Sequence, residues 1–478
     1  MKKQKLSLIL AMLMLASAVS CGSQEQGSTN SEQTNSDTTT EAEVEELKPN
    51  LPDKKYGGEF TILTKIEGYG IYNNEHIYIE EENGDVLNDA IYTRTNRVAE
   101  RFGIKFNEVD VTDSFESTIT QTVMAGDDEY DLIIPTYQMN LGTEYLVDWN
   151  TLEYVDLTKP WWDQNYAEAM SINGKLCSAV GNVMITHMDS VLAMFYNHTL
   201  AEQYKLPDLY QIVRDGDWTL PTYFEVTKNV TTDLNGDTQF DDNDLYAFVG
   251  LDGMVRLSSG VKKEYILKDS SDIPHVNFSD SALVDTITKL RDYASLYADD
   301  IYNPRKNKNT GTDGDAAVFR LFQNDRALFY VHGVGSAQKF RDMDSDFGVL
   351  PTPKLDENQD TYFIEPDCTK FMVIPTTAQD LEKTSAVVEA LAYEGYSYLR
   401  PLYYETMLQN KYMRDDESIE MLDKYIYPNI GFTLNTGSST LSGVIGSILS
   451  QDGEVASTFA SKQSAIEEEI AKYTELFE

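Results

Sequence analysis

Cysteine, histidine and positive charge are all scarce in this 478-residue chain. The three cysteines, Cys21, Cys177 and Cys368, are too few for a disulfide scaffold or a cysteine-rich zinc site. A bridge between Cys177 and Cys368 and a pair of free buried thiols are both open readings. Five histidines form no metal-ligand pair, and neither a Gly-rich phosphate loop nor a Gly-x-Ser-x-Gly elbow is present. Lys and Arg number 38 against 79 Asp and Glu, a formal net charge of −41. That balance argues against nucleic acid, whose phosphates need Lys and Arg, and against adsorption to anionic lipid. Carboxylates are so abundant that a glycosidase acid pair can be drawn anywhere, which makes any such pair uninformative. No apolar run reaches the roughly 20 residues that cross a bilayer.

The short apolar run that does exist is at the start. Lys2, Lys3 and Lys5 precede Leu6 to Ala18, and Ala18-Val19-Ser20 lead into Cys21. This is the anatomy of a signal peptide over 1–20, and the segment resembles a bacterial lipoprotein signal, with leucine replaced by Ala18. The resemblance implies cleavage before Cys21, lipidation of that cysteine, and a body held on the extracellular face of the cell membrane. Two or more acyl chains anchor stably where one does not. Removal of 1–20 takes three lysines and no acids, so the mature charge falls from −41 to −44. Residues 21–53 are Ser, Thr, Gln, Asn and Glu with few large apolar side chains. Such a segment cannot offset its ordering entropy. As a coil of about 30 residues it spans on the order of 30 Å and serves as a linker.

The remainder exceeds one typical core and predicts two compact units. Phe60, Ile62 and Leu63 read as a strand; Leu87, Ile91, Val98 and Phe102 keep helical spacing; Ile104 and Phe106 alternate. Asp113 or Ser114 can cap a helix bearing Phe115, Ile119, Val123 and Met124, and Tyr130 to Pro135 reads as a buried strand. Strand, helix, strand, helix, strand predicts parallel pairing with helices on the faces. Trp161 and Trp162 are expected to pin a loop to the core, Ile172 to Leu176 to turn at Asn173-Gly174, and Trp218 to open a helix. Val191 to Phe195, Ala247 to Gly250, Arg326 to Val331, Phe347 to Leu350 and Phe371 to Pro375 read as strands. Val455, Phe459, Ile466, Ile470, Tyr473 and Phe477 form one helical face.

Asp233, Asn235, Asp237, Asp241 and Asp244 occupy positions one, three, five, nine and twelve of a twelve-residue loop, with the Gln239 backbone at seven. That spacing wraps a hard cation in oxygens, so structural Ca2+ is the expected cofactor. Thr238 stands where glycine normally turns, and Asp244 where the longer glutamate is usual. The loop looks like those of dockerin modules, and no second loop pairs with it.

Residues 321–354 (LFQNDRALFYVHGVGSAQKFRDMDSDFGVLPTPK) are similar to the signature of family 1 extracellular solute-binding proteins of sugar ABC importers. YDLIIP (130–135), DLTKPWWD (156–163), DGDWT (215–219) and VIPTTAQDLEKT (373–384) match in order and spacing. The resemblance spans nearly the whole chain from Gly57. It implies an α/β, two-lobe periplasmic-binding-protein-like fold of type II, with lobes joined by hinge strands: 54–186 and 368–412 in lobe 1, 187–367 and 413–478 in lobe 2. It further implies that Cys177 and Cys368 lie on neighbouring hinge strands, within the range of a disulfide. The implied activity is capture of a carbohydrate, an oligosaccharide in this reading, by a monomer that delivers it to an ABC permease, with no covalent chemistry.

A sugar offers apolar C–H faces to aromatic platforms and hydroxyls to fixed donors and acceptors, and lobe closure removes both from water. Ligands of open α/β sheets sit beyond the carboxyl ends of strands. By that rule the candidate contacts are Tyr69 and Tyr72 after the first strand, Thr136, Tyr137 and Gln138 after YDLIIP, Asp252 after Ala247 to Gly250, and His332 at the end of Arg326 to Val331. The turn His332-Gly333-Val334-Gly335 lacks the tryptophan that maltodextrin binders of this family carry. Rival readings are a secreted carbohydrate-active enzyme, a peptide or amino-acid binder, and an adhesion module built on the calcium-like loop.

Overall fold

A computed structural model describes residues 47–65, 76–111, 114–135, 139–302, 314–367, 369–434, 439–449 and 454–478. The early alternation of strand and helix folds as its periodicity dictates. Strands β1 (Glu59–Thr64), β2 (Lys105–Asp110) and β3 (Leu132–Ile134) form a parallel sheet in the order β2-β1-β3. The helix Val86–Phe102 links the first two; the Asp85 carboxylate accepts the N–H groups of Leu87 and Asn88, and Gly103 ends it at φ 67°. Both ends therefore follow the capping chemistry of their residues. The helix Phe115–Ala125 is capped by Ser114, which accepts from Ser117 N–H; Asp113 lies outside the described residues.

A second sheet contains β4 (Leu192–Asn197), β5 (Tyr246–Val249), β8 (Ile301–Tyr302), β9 (Ala327–Gly333) and β10 (Phe347–Leu350), in the order β10-β4-β9-β5-β8. β4 runs antiparallel to β9 and β10, while β5 is parallel to β8 and β9. Every residue of β4 and β9 is buried, as continuous apolar strands covered on both faces must be. A separate hairpin pairs β6 (Ile266–Lys268) with β7 (Pro274–Val276).

Two antiparallel segments connect the sheets. Ala179 bridges Met372 near the first sheet and Val191 bridges Pro366 near the second, while Val373 adds to the edge of the first sheet at Ile133. A third connection follows Leu381–Glu394. That helix packs on Val86–Phe102, whereas its continuation Tyr403–Tyr412 packs on Ala337–Phe340 beside the second sheet. Pro401 interrupts the helical ladder because it has no N–H, and π-helical turns flank it at Gly395–Leu399 and Tyr403–Tyr412. Gly395 is required here: a Cβ would lie 1.7 Å from the Asn182 carbonyl oxygen of the first connection.

The tryptophans pack as expected. Trp161 and Trp162 are buried and donate their indole N–H groups to Glu389 Oε1 and Oε2 at 2.9 and 2.7 Å. Asn182 N donates to Trp161 O, so the pair supports the first connection from below. Trp218 donates to Pro351 O beside the helix Leu220–Val226. Asn173 and Gly174 have φ of 52° and 69°, the left-handed pair that a two-residue type I′ hairpin needs. Cys177 is buried and its thiol is pushed up to about 12 by that burial; Cys368 lies outside the described residues. Among the described residues, no helix is long and apolar enough to cross a membrane.

Candidate functional site

The parallel strands β5 and β9 end at the same edge of the second sheet, and β4 begins there because it runs the opposite way. Loops at that edge meet the two connecting segments, where Asp367 N donates to Ser190 O and the Ser190 and Thr369 hydroxyls are 3.3 Å apart. Charge collects at this junction. Arg256, on the helical turn after β5, pairs with Asp367 at 2.7 Å. Lys263 donates to Ser258 O at 2.6 Å, and burial pulls its ammonium down to about 8, opposed by Glu365. Burial raises the Glu365 carboxyl, opposed by Lys263 and by the Thr433 hydroxyl.

Asp189 ends the helical turn Thr186–Asp189 and accepts the Tyr403 hydroxyl. Burial pushes its carboxyl up to about 7 against that hydrogen bond. Tyr412 feels both Asp189 and Asp85, the cap of Val86–Phe102. Lys370 acts on His76, whose ring lies 3.1 Å from Glu108 at the end of the segment that follows β1. Asp189, Arg256, Lys263, Glu365, Asp367 and Tyr403 thus bring fixed carboxylates, cations and hydroxyls together where the connections meet the second sheet. Such a set is suited to holding a polyhydroxylated molecule by many directed hydrogen bonds.

His332 is the penultimate residue of β9, with Asp367 and Arg256 acting on its ring. Only 8 % of it is exposed; Nδ1 lies 2.8 Å from Ser336 Oγ, and burial pulls the imidazole down to about 4. It is neutral and largely a packed residue. Asp252 lies in the turn between β5 and the helical turn Met254–Leu257, four residues before Arg256, at the same edge. Tyr69, Tyr72, Thr136, Tyr137 and Gln138 lie outside the described residues, as does Cys21.

Sequence reasoning missed Asp189, Arg256, Lys263, Glu365, Asp367 and Tyr403. Asp189 had a visible signal, being the one acid in the largely apolar stretch 183–196. Arg256 stands one helical turn after Asp252. Nothing local marked the others.

The calcium-like loop closes through its own backbone. Asp233 accepts the N–H groups of Gly236 and Thr238, Asn235 accepts from Asp237, Asp237 from Gln239, and Asp241 from Asn243. Asp244 is fully buried and its two oxygens accept Leu234 N–H and Asp241 N–H at 2.9 Å each. Among the described residues no three His, Cys, Asp or Glu side chains gather as metal ligands.

No protein-family model and no curated protein matches the sequence. Solved structures match in fold. The ABC substrate-binding protein Lmo0181 from Listeria monocytogenes, in complex with cycloalternan, is 13% identical with a TM-score of 0.53, over 87% of this chain and 99% of that one. The galacto-N-biose-/lacto-N-biose I-binding protein of the ABC transporter from Bifidobacterium longum, with lacto-N-biose, is 12% identical with a TM-score of 0.53, over 87% and 97%. The GacH receptor of Streptomyces glaucescens, solved unliganded and with acarbose, is 13% identical with a TM-score of 0.51, over 87% and 99%. The chain therefore has the two-lobe α/β fold of substrate-binding proteins.

Proposed function

We propose that this protein is a carbohydrate-binding member of the family 1 solute-binding proteins, tethered outside the cell at Cys21, and that it hands its ligand to an ABC permease. The observation that carries the reading is the polar cluster of Asp189, Arg256, Glu365, Asp367 and Tyr403 where the connecting segments meet the strand ends. Ligands of α/β folds collect at such an edge, and lobe closure there excludes water. Solved proteins of this fold hold cycloalternan, lacto-N-biose and acarbose, which supports an oligosaccharide over a peptide. Binding without covalent change follows from the same comparison, and lobe limits near residues 186 and 368 fit the two bridged connections.

Thermal unfolding against maltotriose, lacto-N-biose, cycloalternan and a peptide mixture tests the reading. A ligand that binds only the folded state adds about 2.7 kcal/mol at a hundredfold excess over Kd. The expected result is a saturable rise with one saccharide recovered intact. Cleaved saccharide favours an enzyme, and a response to peptides alone removes the carbohydrate. Tyr137→Ala is expected to weaken saccharide binding at least tenfold with little loss of stability.

Lipidation predicts that Cys21→Ser releases the protein from the membrane fraction. Calcium at the Asp233–Asp244 loop is proposed from the oxygen spacing alone, and a cation would have to draw Asp233, Asp237 and Asp241 together. Millimolar calcium should then raise the melting temperature and a chelator lower it; an unmoved curve removes the ion.

A further inference from the structure

A polar cavity of about 250 Å³ borders the first connection, and its wall includes none of the charged cluster. Its wall includes Trp162, Asp163, Asn182, His187, Arg400 and Tyr427. His187 and Asp189 sit on the same helical turn, two residues apart. Successive residues of a helix turn by about a quarter circle, so these two side chains leave it on nearly opposite faces. Asp189 turns toward Tyr403 and His187 toward Asp163. The cavity is therefore distinct from the cluster, although both are built on the first connection.

Its chemistry is that of an incomplete anion site. The Arg400 guanidinium makes no hydrogen bond and no ion pair with a described residue; its contact is the face of the Tyr396 ring, 5.8 Å away. A half-buried guanidinium without a carboxylate is unexpected in a chain with 79 acids and 38 Lys and Arg. The Tyr427 hydroxyl and His187 Nδ1 are buried atoms without partners. Tyr427 and His187 both feel the Arg400 charge, so the three groups face a common space. Asp163, the acid of the wall, is already engaged: Oδ1 accepts Tyr166 N–H at 2.8 Å and Oδ2 lies 3.5 Å from His187 Nε2. Arg400 also borders a neighbouring cavity whose Asp423 accepts the Tyr404 hydroxyl. Buried polar atoms without partners cost free energy, and an acceptor that meets the guanidinium and the Tyr427 hydroxyl recovers it, while His187 Nδ1, an acceptor when Nε2 carries the proton toward Asp163, takes a donor such as an acid hydroxyl or a hydration water.

The geometry points to a small-oxyanion site in this cavity, taking a phosphate or carboxylate group on the Arg400 guanidinium and the Tyr427 hydroxyl. The volume admits such an ion with part of its hydration but not an oligosaccharide. The wall joins Trp162 and Asp163, Asn182 on the first connection, Arg400 on the third and Tyr427, so the ion touches segments far apart in sequence.

The test uses the full chain without any carbohydrate, so its outcome is independent of the function proposed above. Melting curves are recorded in rising inorganic phosphate or succinate, with chloride at matched ionic strength as the control, because general screening would otherwise raise the melting temperature of so acidic a protein. A saturable rise beyond chloride is expected, with the apparent affinity at least tenfold weaker in Arg400→Gln. Tyr427→Phe removes one oxygen and should weaken it at least threefold, which keeps the test open if Arg400→Gln fails to fold. No saturable response to either anion, or wild-type responses in a folded Arg400→Gln or Tyr427→Phe, overturns the site.

Discussion

Replacing Glu389 with glutamine should change how the stability of this protein depends on pH, because the carboxylate is held under two tryptophans. Glu389 is fully buried, accepts the indole N–H groups of Trp161 and Trp162, and lies 3.4 Å from Asp156 N. Burial pushes its carboxyl up to about 7 from the ordinary 4.5, against those hydrogen bonds. The folded protein therefore binds this proton more tightly than the unfolded chain. Stability from this group is present at acid pH and is lost as pH rises from 4.5 through about 7. At 1.36 kcal/mol per unit, the loss between pH 5 and pH 8 is about 2–3 kcal/mol. Glutamine cannot titrate, and its amide offers one acceptor to two indoles, which orphans one buried N–H at a cost of about 1–3 kcal/mol. Urea unfolding at pH 5 should find Glu389→Gln less stable by that amount, and at pH 8 equal to or more stable than wild type. Urea is the better probe, since for about 430 residues 1 kcal/mol moves the melting temperature by only about 1 °C. A difference between the proteins that stays constant from pH 5 to pH 8 would refute the buried, proton-binding carboxylate.

Other outcomes follow from single contacts. His332, held down to about 4 by burial, makes the opposite contribution: stability is lost as pH falls from 6.5 toward 4, so His332→Asn should flatten that part of the urea profile by about 3 kcal/mol. Gly395→Ala forces a Cβ against the Asn182 carbonyl and should cost about 1–3 kcal/mol in urea unfolding, since the contact is with backbone and cannot swing aside. Asp244→Ala leaves the N–H groups of Leu234 and Asp241 without acceptors and should open the 233–244 loop to limited proteolysis, with a loss of about 2 kcal/mol. Arg256→Ala unpairs Asp367 in the cluster and should weaken saccharide binding about tenfold by calorimetry; unchanged affinity would remove Arg256 from the site.

What the sequence determined alone is what short-range periodicity encodes. The parallel β1, β2 and β3 with their two helices, the Asn173-Gly174 turn, the packing of Trp218 and the last helix all followed from spacing over a few residues, because the pattern of apolar side chains records which face is buried. The positions of Asp252 and His332 beside strand ends followed for the related reason that strand ends are visible in the sequence. Tertiary structure decided the rest. β8 is two residues long and exists as a strand through its pairing with β5, and Glu389 answers Trp161 and Trp162 from more than 220 residues away. The cluster joins Asp189, Arg256, Asp367 and Tyr403 only because antiparallel connections return the chain to one junction. Which polar groups meet there depends on the register of distant segments, and no local pattern carries that register.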